Sequence, residues 1–208
     1  PLKFSPAHKS EGFAELVCSN SLKAQRLDSA AGLLKTEMEM LGSLLVPCAK
    51  ACSVPAGGAL AVDRDAFSRM VTEKIKNHPN ITVYEREVTD IPDGPVIIAT
   101  GPLTSDALAE KIAALSGGAL HFYDAAAPIV TAASGDMSWA FYASRYERGG
   151  EDDYLNCPMN KEEYEAFYAA LITAEGAPTH EFDKPNVYEG CMPIEIMAKR
   201  GADTIRFG

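Results

Sequence analysis

Two cysteines in this chain stand where a thiol could be made reactive. The first lies in Ala14-Glu15-Leu16-Val17-Cys18-Ser19-Asn20-Ser21-Leu22, an apolar lead-in followed by a thiol and three small polar residues. An amphipathic run begins near Ser29, so Cys18 is expected on a tight loop where strand gives way to helix. Backbone N–H groups and short side chains there can face a ligand. The second lies in Glu189-Gly190-Cys191-Met192-Pro193-Ile194-Glu195. Pro193 suits the first position of a helix, which would put Cys191 at or beside the N-cap, where the helix dipole favours a thiolate. The expectation is that Cys18 and Cys191 meet in one active site.

Cys48, Cys52 and Cys157 complete an odd set of five without disulfide-scaffold spacing. That usage points to a reducing, cytoplasmic compartment. Cys48 and Cys52 fall on one face of a helix. With no second pair and no histidine beside them, they read as small buried residues, and no metal site is expected.

The elements that must position the two thiols follow from patterning. In 208 residues, 47% apolar and 23% charged, the chain can bury a substantial core. No apolar run approaches the roughly 18 residues that span a bilayer, so no membrane partner is expected. The net charge of −10 argues against a nucleic-acid coat protein. It leaves room for an enzyme gripping RNA through a local basic patch, with Lys23 and Arg26, Arg145 and Arg148, or Lys199, Arg200 and Arg206 as candidates. Solvated surface charge is the plainer reading of each group. The chain opens on Pro1 and stops at Gly208 after an apparent strand, so a piece of a longer protein is expected.

Leu33, Leu34, Met38, Leu41 and Leu45 recur at helical spacing, and that helix is expected to end near Gly42 to Pro47. Pro55-Ala56-Gly57-Gly58-Ala59 is a turn whose glycines allow close backbone approach. Asp63 or Asp65 caps a second helix carrying Phe67, Met70, Val71 and Ile75. Ile81–Tyr84 and Glu87–Thr89 favour strand. Val96–Thr100 has the continuous apolar pattern of a buried parallel strand, followed at once by Gly101-Pro102 and a helix with Leu108, Ile112 and Leu115. The order suits an α/β nucleotide-binding arrangement, with the glycine turn at the carboxyl end of a strand. No G-x-G-x-x-G occurs. From Leu120 onward the texture is α+β: strand at His121–Asp124 continuing as strand or turn over Ala125–Val130, aromatics at Trp139, Phe141, Tyr142 and Tyr146, and a short strand at Tyr154–Pro158. A capping box of Asn160 with Glu163 opens a helix bearing Tyr164, Phe167 and Tyr168. Core packing is the expected role of these aromatics, with base stacking as the alternative. A final helix is expected from Pro193 to Lys199.

Several motifs in one order resemble one family. They are Cys18-Ser19-Asn20-Ser21-Leu22, Gly32-Leu33-Leu34-Lys35, Pro55 to Arg64 (PAGGALAVDR), Ile98 to Thr104 (IATGPLT), Phe122 to Val130, Tyr154 to Met159 and Glu189 to Glu195. The family is the bacterial folate- and FAD-dependent tRNA (uracil-5-)-methyltransferases, and the likeness covers essentially the whole chain. A looser likeness, from Cys18 to Lys35, extends to the related flavoprotein that helps modify the tRNA wobble uridine.

The resemblance implies an α/β fold. Residues 1–118 would be part of a Rossmann-like FAD-binding domain, and residues 119–208 an inserted α+β substrate domain with its return segment. It implies FAD, methylenetetrahydrofolate and NADH or NADPH as cofactors, and a T-loop uridine of tRNA as substrate. The family's glycine-rich loop would lie before Pro1 and a C-terminal FAD-contacting segment after Gly208, so this piece is expected to hold FAD weakly or not at all. Ser19, Asn20 and Ser21 are candidate FAD contacts by their place in the loop. Thr100 and Gly101 are candidates by their place at the strand end, and Val88 through its backbone.

Uracil C5 is a poor nucleophile until something adds to C6; a thiolate that does so makes an enolate able to attack an activated methylene. Cys18 is taken as that nucleophile with Cys191 assisting, and the reverse assignment is the alternative. Two other readings stand beside this one. A flavin-dependent thiol oxidoreductase would pair Cys18 with Cys191, although they are far from C-x-x-C spacing. A non-enzymatic tRNA-binding module would need more basic surface than the charge suggests.

Overall fold

The computed structural model describes residues 8–17, 19–101, 104–117, 131–144, 152–175 and 194–206. They group into two compact units, one drawn from Pro6–Glu85 with Ala126–Pro158, the other chiefly from Arg86–Ala125 with Met159–Gly208. These are units of compactness and carry no cofactor assignment.

In the first unit, strands β1 (Ser21–Ala24), β2 (Ser53–Val54) and β3 (Ala59–Val62) form an antiparallel sheet in the order β1-β3-β2. The all-apolar β3 takes the central place, and Leu60, Ala61 and Val62 are all buried. Ser21 pairs with Ala61 and Ala24 with Ala59, so β1 carries one residue more than its partner. Lys23 absorbs that bulge in the left-handed region, at φ 65°.

Three helices surround the sheet. Helix α1 (Ala30–Met40) starts at Ser29, whose hydroxyl accepts the Gly32 N–H at 3.1 Å. Helix α2 (Leu45–Ala51) tolerates Pro47 because its first turn has no N–H bonds to lose. Helix α3 (Arg64–Lys76) is capped by Asp63, which accepts from the Ala66 N–H at 2.9 Å. Leu60, Val62, Phe67 and Val71 close the core with Cys48, Ala49 and Cys52. Burial of each large member contributes about 1.5–3 kcal/mol. Cys48 and Cys52 are thus small apolar fillers, in keeping with their spacing. A hairpin of β4 (Phe141–Ala143) and β5 (Tyr154–Asn156) also belongs to this unit.

The stretch ahead of β1 is irregular but tied down. The Glu15 carboxylate accepts the N–H groups of Lys9 and Ser10. Phe13 donates its N–H to the Thr72 hydroxyl at 2.7 Å, and its carbonyl accepts from Ser68 Oγ at 2.8 Å. Phe13, Ala14 and Leu16 pack against the core.

The second unit holds α4 (Asp106–Ser116), α5 (Lys161–Thr173) and α6 (Ile194–Ala198). Asn160 and Glu163 form the expected capping box on α5. Tyr164 and Tyr168 donate their phenol hydroxyls to the carbonyls of Ala202 and Ala198.

The α/β class read from the sequence is the class of the structure, yet several of its elements differ. Val96–Thr100 is irregular rather than a buried parallel strand, and Val96, Ile97 and Ile98 are exposed. A strand exists by exchanging N–H and C=O groups with a neighbour. Among the described residues every strand pair is antiparallel and none includes this run. Ile81–Tyr84 and Glu87–Thr89 are irregular for the same reason. The leucine stripe of α1 is largely exposed, and the helix buries Gly32 instead. Trp139, Phe141 and Tyr142 are exposed, against the expectation of core packing. The strand expected at His121–Asp124, with its continuation as strand or turn over Ala125–Val130, lies outside the described residues.

Candidate functional site

Cys18 and Cys191, the two expected catalytic thiols, both lie outside the described residues, as do Pro193, Arg145 and Arg148. The surroundings of Cys18 in the chain are described. A strand follows it rather than a helix, since β1 starts at Ser21, and the stretch before it is irregular rather than a strand. The apolar lead-in Ala14–Val17 forms no strand, and Phe13 just ahead of it gives its N–H to Thr72 and takes the Ser68 hydroxyl on its carbonyl, both on α3.

The three polar residues after Cys18 are largely occupied with the backbone. The Ser19 hydroxyl accepts the Ser21 N–H at 3.2 Å, and the Ser21 hydroxyl accepts the Lys23 N–H at 3.1 Å. Asn20 straddles Val62: its carbonyl accepts the Val62 N–H at 3.0 Å and its amide donates to the Val62 carbonyl at 3.1 Å. Asn20 therefore fixes the register of β1 on β3. Each serine hydroxyl that accepts locally can still donate, as a ligand contact requires.

Val88, Thr100 and Gly101 belong to the second unit. Val88 is exposed on an irregular stretch. The Thr104 hydroxyl donates to the Gly101 carbonyl at 2.7 Å and lies 2.6 Å from the Thr100 hydroxyl. Its single proton being spent, Thr100 is the donor in that pair. Gly101 has φ 68°, and a Cβ there would meet nothing within 4 Å. The turn is thus formed and open on one side, which fits close approach of a cofactor to the backbone.

The Pro55–Gly58 turn is more tightly built than its composition suggests. Gly57 donates its N–H to Asp153 Oδ2 at 2.5 Å, and Tyr154 donates its hydroxyl to the Ala56 carbonyl at 2.8 Å. A cavity of about 350 Å³ lies beside it, lined by Gln25, Ser53, Val54, Ala56, Gly57 and Asp153 among others. A larger hollow of about 590 Å³ lies against α3, where Lys9, Arg64 and Arg69 face Glu15, Asp65 and Glu73. Its charges balance. Among the described residues no cluster of His, Cys, Asp or Glu could hold a metal ion.

Titration behaviour follows from these contacts. Burial would raise the Glu15 carboxyl, but the N–H groups of Lys9 and Ser10, the His8 charge and the Ser10 hydroxyl together hold it below the usual range. Burial, then repulsion from Lys23, lowers Lys35, whose ammonium donates to the carbonyls of Ala24 and Ala31 at 2.9 and 3.0 Å. Lys35 thereby ties the end of β1 to the start of α1. Of the basic candidates, Arg26 is held by Asp28 at 2.7 Å, and Arg206 lies 3.8 Å from Asp203.

The family model described as "Glucose inhibited division protein A" matches residues 3–207. The chain belongs to that family. Curated relatives include proteins of Moorella thermoacetica at 62% identity, Acetivibrio thermocellus at 60% and Bacillus licheniformis at 59%. Each alignment takes in all of this chain and 48% of the relative. All three relatives are named methylenetetrahydrofolate--tRNA-(uracil-5-)-methyltransferase TrmFO. The chain spans about half the length of these relatives. Within this family member, sequence reasoning missed Asp153, Tyr154, Ser68 and Thr72. Asp153 and Tyr154 act on residues 96 and 98 positions away, and no local signal announces such a contact.

Proposed function

We propose that the protein to which this chain belongs methylates C5 of a T-loop uridine in tRNA, using methylenetetrahydrofolate as carbon source, FAD and a reduced pyridine nucleotide. The observation that carries this reading is identity of 59–62% along the entire chain to proteins named for that reaction. A tRNA substrate supports a cytoplasmic site of action. Among the described residues no helix is long and apolar enough to cross a membrane.

The proposed chemistry starts from Cys18. Its thiolate forms a bond to uracil C6, and the ring π electrons move onto the carbonyl oxygen as an enolate. C5 then bonds to the folate-borne methylene; a base removes the C5 proton as the methylene–nitrogen bond breaks and tetrahydrofolate leaves, so that an exocyclic methylene remains at C5 with the thioether still on C6. The flavin, when bound and reduced by the pyridine nucleotide, would supply the hydride that converts this methylene into a methyl group, after which the thiolate leaves C6 and the C5–C6 double bond re-forms. Ser19, Asn20, Ser21, Val88, Thr100 and Gly101 are the proposed FAD contacts. The open face of Gly101 supports this assignment best. Asn20 contributes through the loop it fixes. Cys191 is proposed to assist, and residues 1–118 and 119–208 to divide cofactor and substrate binding.

Trapping of 5-fluorouracil-substituted tRNA by the full-length protein tests the assignment, since fluorine at C5 cannot leave as the proton does. Cys18→Ala is expected to abolish trapping. Survival of trapping in that variant with loss in Cys191→Ala would exchange the two roles.

A further inference from the structure

Helix α1 stands in the first unit with its apolar side outward. At about 100° per residue, Leu33, Leu34, Met38, Met40 and the C-cap residue Leu41 fall within one arc of the helix surface. All five are exposed, Met40 at 83% and Leu41 at 87%. Glu37 is the only charged residue in that arc. The opposite arc holds Gly32, Lys35, Thr36 and Glu39, and it is this polar side that the structure covers. Specific bonds fix the orientation. The Lys35 ammonium donates to the carbonyls of Ala24 and Ala31, the Thr36 hydroxyl donates to the Gly32 carbonyl at 3.1 Å, and Glu39 pairs with Lys50. Gly32 meanwhile lies too close to the Arg26 backbone to carry a Cβ. The helix cannot roll its leucines inward without breaking these contacts. A helix ordinarily turns its apolar stripe to the core, so a stripe fixed outward calls for a cover from elsewhere.

We propose that the leucine face of α1 is the docking surface for the part of the parent polypeptide that lies outside this chain. The curated relatives leave room for such a cover, because the alignment takes in only 48% of each. Two other occupants fit less well. RNA is held through Lys and Arg, and this arc offers a glutamate and no cation. A separate second copy needs an interface of roughly 20–30 residues a side, several times what this face supplies. A segment of the same polypeptide needs no such area, since covalent attachment keeps its local concentration high.

The first measurement needs no variant. Full-length wild-type protein is treated with hydrogen peroxide, native beside urea-unfolded, and sulfoxide formation at Met38 and Met40 is followed by peptide mass spectrometry. Met40 is expected to oxidise at least about tenfold more slowly in the native protein, and to keep that protection when the protein is diluted about a hundredfold. A native rate within about twofold of the unfolded rate overturns the proposal, because the face is then open in the complete protein. Protection that fades on dilution assigns the face to a second copy and overturns it as well. The occupant is read by placing p-benzoylphenylalanine at Leu41 of the same protein and mapping the photo-cross-link. A cross-link within one polypeptide to a segment outside these 208 residues is the expected product. A cross-link to residues of this chain, to another polypeptide, or to nothing overturns the assignment. None of these readouts involves turnover, so failure of the proposed reaction would leave them standing.

Discussion

Replacing Gly32 with alanine reverses the usual sign of a helix substitution. In an exposed helix interior, glycine to alanine gains about 1 kcal/mol. Here an added Cβ would lie 1.9 Å from the Arg26 carbonyl oxygen and 2.5 Å from its carbon. Ordinary contact needs about 3.5 Å, so backbone must move by more than 1 Å, and it cannot rotate aside as a side chain would. Overpacking of this kind costs about 1–3 kcal/mol. The Arg26 carbonyl also accepts the Ser29 N–H at 3.1 Å and the Ser29 hydroxyl at 2.7 Å, and that hydroxyl in turn caps Gly32. Disturbing those bonds adds about 1 kcal/mol for each one lost. Set against the propensity gain, the net is a destabilisation of about 2–4 kcal/mol. For a chain of this size the thermal midpoint should fall by roughly 5–15 °C. Circular dichroism melting of Gly32→Ala beside wild type checks this. A midpoint equal to or above wild type would show that α1 does not approach the Arg26 backbone, and the account of its buried face would be wrong.

Two further outcomes follow from the first unit. Tyr154→Phe removes the bond to the Ala56 carbonyl and should cost about 1 kcal/mol, with faster hydrogen exchange at the Gly57 and Gly58 amides. Unchanged exchange would mean that the turn holds its shape unaided. Because the Glu15 carboxyl is held below its usual range when folded, its contribution is complete above that range and is lost as pH falls through the lowered value. Melting of Glu15→Gln should therefore lie below wild type near neutrality, with the gap closing in acid. A gap independent of pH would refute the role given to the Lys9 and Ser10 amides.

What the sequence revealed was chiefly what neighbours in the chain decide. Asp63 ahead of α3 and the Asn160–Glu163 pair ahead of α5 each satisfy donors within three residues, so type and spacing identify them. Cys48 and Cys52 were legible because a helical face dictates burial. Val96–Thr100 misled because apolar, β-branched texture reports what a segment could bury, whereas a strand also needs a partner. The grip of Ser68 and Thr72 on Phe13 was illegible for a related reason: a buried hydroxyl on a helix looks like any other until the chain that crosses it is known. At the candidate site, the family motifs drew attention to Ser19–Ser21 and Gly101 and took in both Tyr154 and Pro55–Gly58, but not the contact by which the Tyr154 phenol and the Asp153 carboxylate clamp that turn. Those come from the far side of a long separation.

That separation has a consequence for synthesis. Among the described residues the core around Leu60 and Phe67 draws on nothing later than Ile75, whereas the glycine turn, bonded early by the Gln25 N–H, gains its side-chain contacts from Asp153 and Tyr154. At 5–20 residues per second, the roughly 80 residues between them take on the order of 4–16 s to translate. Closing so long a loop also costs entropy that the compact core has already avoided. The nascent protein therefore has a core that can assemble while this turn still lacks its two side-chain contacts, and a ligand of the turn would meet its finished form only after Tyr154 has been made and has folded back.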